Sequence, residues 1–194
     1  MPIYGFGGLL TLNGSAQPLF GTTTSAAATP VYDQFAGNVT GANQSQTTLA
    51  LTSMMGFRIG QMIICGTSST LYNSSIQPNV GLITGLNSAA STISVKGLNA
   101  SVPSGAYVLL NEAIQTVTVA PVQGNSALIY LGRDWTTGAA STQTYSILTN
   151  PSTGTYVFNV FQTPTTDKAH AYNTTEFWIN GANGDKVVVQ MTQG

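Results

Sequence analysis

The sequence predicts an all-β protein in three parts: an extended N-terminal arm over residues 1–50, a small β-barrel over 51–113 and an antiparallel β-sandwich over 114–194. Three observations lead there. Apolar runs are short, and each is bounded by Gly, Ser, Asn or Pro, as in tightly turned β-domains. No window sustains the 3.6-residue period of a long helix. Strand-like runs recur along residues 56–194 with polar turn clusters between them, the spacing of barrels and sandwiches.

Residues 1–50 are rich in Gly, Thr, Ala, Ser, Asn and Gln and hold no period for long, so they are expected to be extended and flexible. Spaced apolar anchors stand in this arm: Ile3, Tyr4, Phe6, Leu9, Leu10, Phe20, Tyr32 and Phe35. A neighbouring subunit is their expected contact. The barrel is expected to begin with a strand over 57–65, interrupted at Gly60 by a bulge or a close backbone approach. The clearest hairpin joins 80–86 to 92–96 through the polar turn 87–91. Ile93 and Val95 share one of its faces, and Thr92, Ser94 and Lys96 share the other. Pro103-Ser104-Gly105 sets up a return strand over 106–110. The sandwich strands are expected around Val117 and Val119, then over 127–131, 144–148, 156–161, 177–180 and 187–191.

Composition narrows the function. With five Lys plus Arg, six Asp plus Glu and one His, only 6% of the 194 residues are charged, against an average of about 25%. Such a surface relies on hydroxyls and amides for solubility, and suits one covered by other protein or repeated at high density. Net charge is −1, and so few scattered cations cannot neutralise a run of phosphates, so nucleic acid is not expected as a partner. No apolar run reaches the roughly 18 residues of a membrane span, and the start lacks a secretion signal's positive region, so a soluble product made in the cytoplasm is expected. The single Cys65 beside Ile63 and Ile64 reads as a buried, inert thiol.

No chemistry is spelled out, and neither an enzyme nor a cofactor is expected. His170 lies in a polar loop beside Asp167 and Lys168, with no nucleophile elbow in the chain to complete a triad. Asp134 beside Trp135, and Glu176 near Trp178, imitate the carboxylates and sugar platforms of glycosidases but read as surface acids. Gly5-Phe6-Gly7-Gly8 lacks the Lys-Ser or Lys-Thr of a phosphate loop. The aromatic residues have two possible uses, a sugar-binding face or core and interface packing. Trp135, Trp178 and Tyr172 are the ligand-facing candidates. Trp178 alternates with Phe177 and Ile179 on a strand, so one of the two aromatics is expected to face out of the core.

The Gly-bounded strand 58–64, the hairpin 81–98 and the return 103–108 resemble the small β-barrels of tailed-bacteriophage structural proteins. The runs 125–132, 176–181 and 185–190 are similar to sandwich domains of phage head and tail components. The resemblance implies a non-enzymatic virion component, a cement or decoration protein on the outer capsid surface. Its implied partners are the major capsid protein and copies of itself, with a trimer favoured, and no membrane. The alternative is a carbohydrate-binding tail or fibre module for host attachment. If the arm is a separate attachment device, removing residues 2–45 should leave a folded domain.

Overall fold

The structure is a computed structural model that describes residues 5–32, 45–67, 70–71, 75–114, 116–132, 144–148, 158–161 and 173–192. In chain order the strands are β1 (Gly5–Thr11), β2 (Gln17–Pro18), β3 (Gly21–Thr23), β4 (Thr47–Ala50), β5 (Met62–Gly66), β6 (Asn79–Asn87) and β7 (Thr92–Lys96). There follow β8 (Tyr107–Leu110), β9 (Thr116–Pro121), β10 (Ile129–Gly132), β11 (Thr144–Leu148), β12 (Phe158–Phe161), β13 (Trp178–Asn180) and β14 (Lys186–Thr192). A 3-10 turn, Thr174–Glu176, precedes β13. The protein is all-β, as expected, and every described strand pair is antiparallel.

The chain divides into two units, one made of Gly21–Asn111 and the other of Met1–Phe20 with Glu112–Gly194. In the first, the strands run in the order β3-β8-β5-β6-β7-β4. The two edges meet, because Thr24 just after β3 bridges Leu51 just after β4. Ser25 N–H donates to Ala50 O, and Thr52 N–H donates to Thr23 O, both at 2.9 Å. The Thr52 hydroxyl reaches those of Thr22 at 2.8 Å and Thr23 at 3.1 Å. This contact between the first and last strands curls the sheet into a small barrel that closes at one end of the two edges.

Side-chain alternation fills its interior. Ile63 stands opposite Leu110, Cys65 opposite Val108, Ile83 opposite Val95 and Leu49 opposite Ile93, and all eight are buried. Each aliphatic residue so buried contributes about 1.5–3 kcal/mol. The expected hairpin is β6–β7, with Ile93 and Val95 inside and Lys96 in solvent. Gly81, opposite Ile63, leaves the space that Val95 and Leu98 fill, since a Cβ there would lie 2.3 Å from Val95 Cγ1. Gly60 forms the expected bulge: its N–H donates to Ile83 O at 2.8 Å and Ile83 N–H donates to Gln61 O at 2.9 Å, so residues 60 and 61 together face Ile83, with Gly60 at φ +91. Nothing lies within 4 Å of a would-be Cβ there, so the alternative of a close approach does not hold.

The second unit holds two four-stranded sheets, β1-β14-β9-β12 and β11-β10-β13-β2, a sandwich. On the first, Val187 pairs with Pro121, Val189 with Val119 and Met191 with Val117, all buried, while Lys186, Val188 and Gln190 alternate outward. On the second, Ile129 and Leu131 of β10 and Ile179 of β13 are buried. The connections are locked by polar groups. The Asp185 carboxylate, itself buried, accepts from Ser126 N–H (2.7 Å), Ser126 Oγ (3.0 Å) and Ala127 N–H (3.2 Å). The Asn125 side-chain amide donates to Lys186 O and accepts from Lys186 N–H, both at 2.8 Å, so it stands in for a strand neighbour.

The expected arm over 1–50 is corrected. Residues 5–11 are β1, paired along their whole length with β14, and β2 pairs with β13. Residues 21–23 and 47–50 are β3 and β4, the two strands that close the barrel. The first segment therefore supplies strands to both units, and the division falls after Phe20 and after Asn111 in place of 50 and 113. Removal of residues 2–45 would take away β1, β2 and β3, so it cannot leave either unit intact.

Candidate interaction surface

β1 is the outermost strand of its sheet among the described residues, with β14 on one side only. Its sequence, Gly-Phe-Gly-Gly-Leu-Leu-Thr, contains no charge and no proline. In an antiparallel ladder alternate residues turn their N–H and C=O groups away from the neighbour, so β1 offers a row of backbone donors and acceptors along its other edge. Natural edge strands are ordinarily blunted by Lys, Pro or a bulge. Leu9 stands beside Val188 of β14, and both are in solvent, Leu9 at 52% exposure.

A second apolar surface lies on the outside of the barrel. Because side chains alternate along β5 and β6, burying Ile63, Cys65, Gly81 and Ile83 turns Met62, Ile64, Val80 and Leu82 outward. Met62 is registered with Leu82, and Ile64 with Val80. Met62 and Leu82 are exposed, as is Ile59 in the preceding turn at 63%. A grouped apolar patch marks an interaction surface more strongly than scattered single residues do. None of these was among the expected contact residues, although the unbroken apolar run 62–65 on a period-two strand carried the signal.

The expected anchors separate. Leu9 is exposed and Leu10 half-buried. Tyr32 is half-exposed, its hydroxyl donating to Asn99 O at 3.4 Å. Phe20 is corrected: it is 2% exposed and packs edge to face on Phe177, ring centres 6.2 Å apart, so it belongs to the core. Ile3, Tyr4 and Phe35, and the side chain of Phe6, lie outside the described residues.

Trp178 is also corrected. Phe177, Trp178 and Ile179 are each 0% exposed, because both faces of β13 are covered, and Trp178 Nε1 donates to Thr175 O at 3.3 Å. Neither aromatic faces out, so Trp178 cannot present a flat ring to a sugar. Trp135, Tyr172, Asp134 and His170 lie outside the described residues. Glu176 sits half-buried in the 3-10 turn, its backbone N–H on Asn173 O. Burial pushes the Cys65 thiol up to about 12, which keeps it protonated and inert at neutral pH, as expected.

Comparisons of the chain with protein-family models, with curated proteins and with solved structures gave no match.

Proposed function

We propose that this chain is a non-enzymatic structural protein of a tailed-phage virion, a cement or decoration protein that binds the major capsid lattice and copies of itself on the outer shell. The observation that carries the reading is the uncharged, unblunted edge of β1, with Leu9 and Val188 beside it. An extended segment of a neighbouring subunit can add to such an edge through main-chain hydrogen bonds, with side chains setting register. The apolar face around Ile59, Met62 and Leu82 supplies a further contact, and the scarcity of charge over the whole chain leaves little to repel a close neighbour. Many modest contacts repeated by symmetry give firm attachment without one strong site.

The test is to count copies of the chain in purified virions and to compare wild type with Leu9→Lys. A copy number that follows the capsid lattice, and loss of decoration by the folded variant, is the expected result. Leu9 is in solvent, so the new charge acts on the edge and not on the core. Full decoration by Leu9→Lys would sink the edge-strand mechanism. A copy number that follows tail symmetry would transfer the chain to the alternative, a carbohydrate-binding tail or fibre module. That reading has lost Trp178 and keeps Trp135 and Tyr172 as its candidates.

A further inference from the structure

We infer that Asn13 is a modification site, at which the folded chain converts an asparagine spontaneously to isoaspartate and aspartate, while the fold protects the two other Asn-Gly pairs. The sequence holds three such pairs: Asn13-Gly14, Asn180-Gly181 and Asn183-Gly184. Glycine after asparagine leaves the following amide nitrogen unhindered, so sequence alone makes all three reactive.

The loop between β1 and β2 arranges the first for reaction. Asn13, Gly14 and Ser15 are all exposed, and Gly14 takes φ +83. Among the described residues the Gly14 N–H has no acceptor, so it is open to base. Asn13 Oδ1 accepts from Ser15 N–H at 2.9 Å, which folds the side chain back over its own backbone. Asn13 N–H donates to Gln17 Oε1 at 2.9 Å, and the Gln17 side chain returns to Thr11 O at 3.3 Å, steadying the turn.

The steps balance with water as the only co-reactant. Gly14 N gives its proton to solvent base and attacks Asn13 Cγ. The negative charge that develops on Oδ1 is held by the Ser15 N–H, an oxyanion contact already in place. Solvent returns a proton to the Asn13 side-chain nitrogen, and collapse expels it as ammonia and leaves a five-membered succinimide. Water then adds to one of its two carbonyls and breaks the ring C–N bond, giving isoaspartate or aspartate. The net change is amide plus water to carboxylate plus ammonium.

The other pairs are held back. Gly184 N–H donates to Leu12 O at 2.9 Å, so its nitrogen is committed. Asn180 ends β13 in the ladder opposite Tyr130, and Gly181 is packed so closely that a Cβ there would meet Leu12 Cδ1 at 2.5 Å and Ile129 Cγ1 at 3.2 Å, so the backbone that must move for ring closure is held in place. The product matters in a chain this poor in charge. It places a new carboxylate on the loop that follows β1, and isoaspartate lengthens the backbone between the Gln17 and Ser15 contacts.

The experiment incubates the full chain, folded and in concentrated urea, in mildly alkaline buffer and maps peptides by mass, with isoaspartyl methyltransferase to mark the isoaspartate product. In the folded chain Asn13 should convert at least about tenfold faster than Asn180 or Asn183, the factor expected from holding a protecting amide bond closed. In urea the three should convert at similar rates. Asn13→Gln should abolish the product at this position and leave the other two peptides unchanged. Native conversion of Asn183 or Asn180 as fast as that of Asn13 would overturn the inference. So would an Asn13 that stays intact in the folded chain over the time in which urea converts it.

Discussion

Replacing Thr47 by Val removes one oxygen from the barrel interior. Thr47 is 2% exposed on β4, opposite Val95, and its hydroxyl has no hydrogen-bond partner among the described residues. A buried hydroxyl left unsatisfied costs about 1–3 kcal/mol, and Val has the same branched shape and an equal preference for strands. Thr47→Val should therefore stabilise the barrel by about that amount. The protein carries its own reporter, since Cys65 is the single cysteine and lies 3% exposed in the barrel wall. A thiol reagent reaches it only when the barrel opens, and where closing outruns labelling the rate follows the open population. Labelling in moderate urea should slow by about 5- to 150-fold, the factor for 1–3 kcal/mol. Thr47→Ser, which keeps the hydroxyl and loses the methyl, should speed it. Unchanged or faster labelling of Thr47→Val would refute the reasoning, because the hydroxyl would then have a partner worth keeping.

Gly81→Ala forces a methyl against Val95 and Leu98 and should cost about 1–3 kcal/mol, read as faster Cys65 labelling. Asp185→Ala strands two backbone amides, of Ser126 and Ala127, and should cost about 2–4 kcal/mol of sandwich stability in urea unfolding followed by tryptophan fluorescence. Cys65 also gives a pH signature. Its folded value, about 12, lies above the 9.0 of an exposed thiol, so its contribution is complete below pH 9 and is lost as pH rises toward 12. The stability difference between wild type and Cys65→Ala should fall across that window by about 1.4 kcal/mol per pH unit, and a flat difference would contradict the burial.

Where a strand announces its own period, the sequence was readable. Ile93 and Val95 alternating with polar neighbours located β7 and its faces, and the β-branched runs near 117–119 and 187–191 became β9 and β14. The first segment was not readable, because what makes Gly5–Thr11 a strand is the ladder to β14 near the other end of the chain. Three glycines among seven residues leave no local pattern, and pairing overrides propensity. β2 is two residues including Pro18, tolerated because it is an edge strand and invisible as a run. The interaction surface was half legible: Leu9 could be named as an anchor, but which of Met62 and Ile63 faces out depends on the curl of a closed sheet. Trp178 misled for the opposite reason, since alternation assumes one wet face and β13 has none.

The barrel interrupts the sandwich in sequence, and this sets an order of events during synthesis. β2 ends at Pro18 and its partner β13 begins at Trp178, a separation of 160 residues (178 − 18). At roughly 5–20 residues per second, the ribosome takes about 8–30 s to deliver that partner. The barrel strands between them are all made by then, so the barrel can close while β1 and β2 still wait. Both uncharged edges of β1 are thus presented early, on a nascent chain among its own copies. A cell making this protein in quantity has to keep those waiting edges apart until the C-terminal strand arrives to claim one of them.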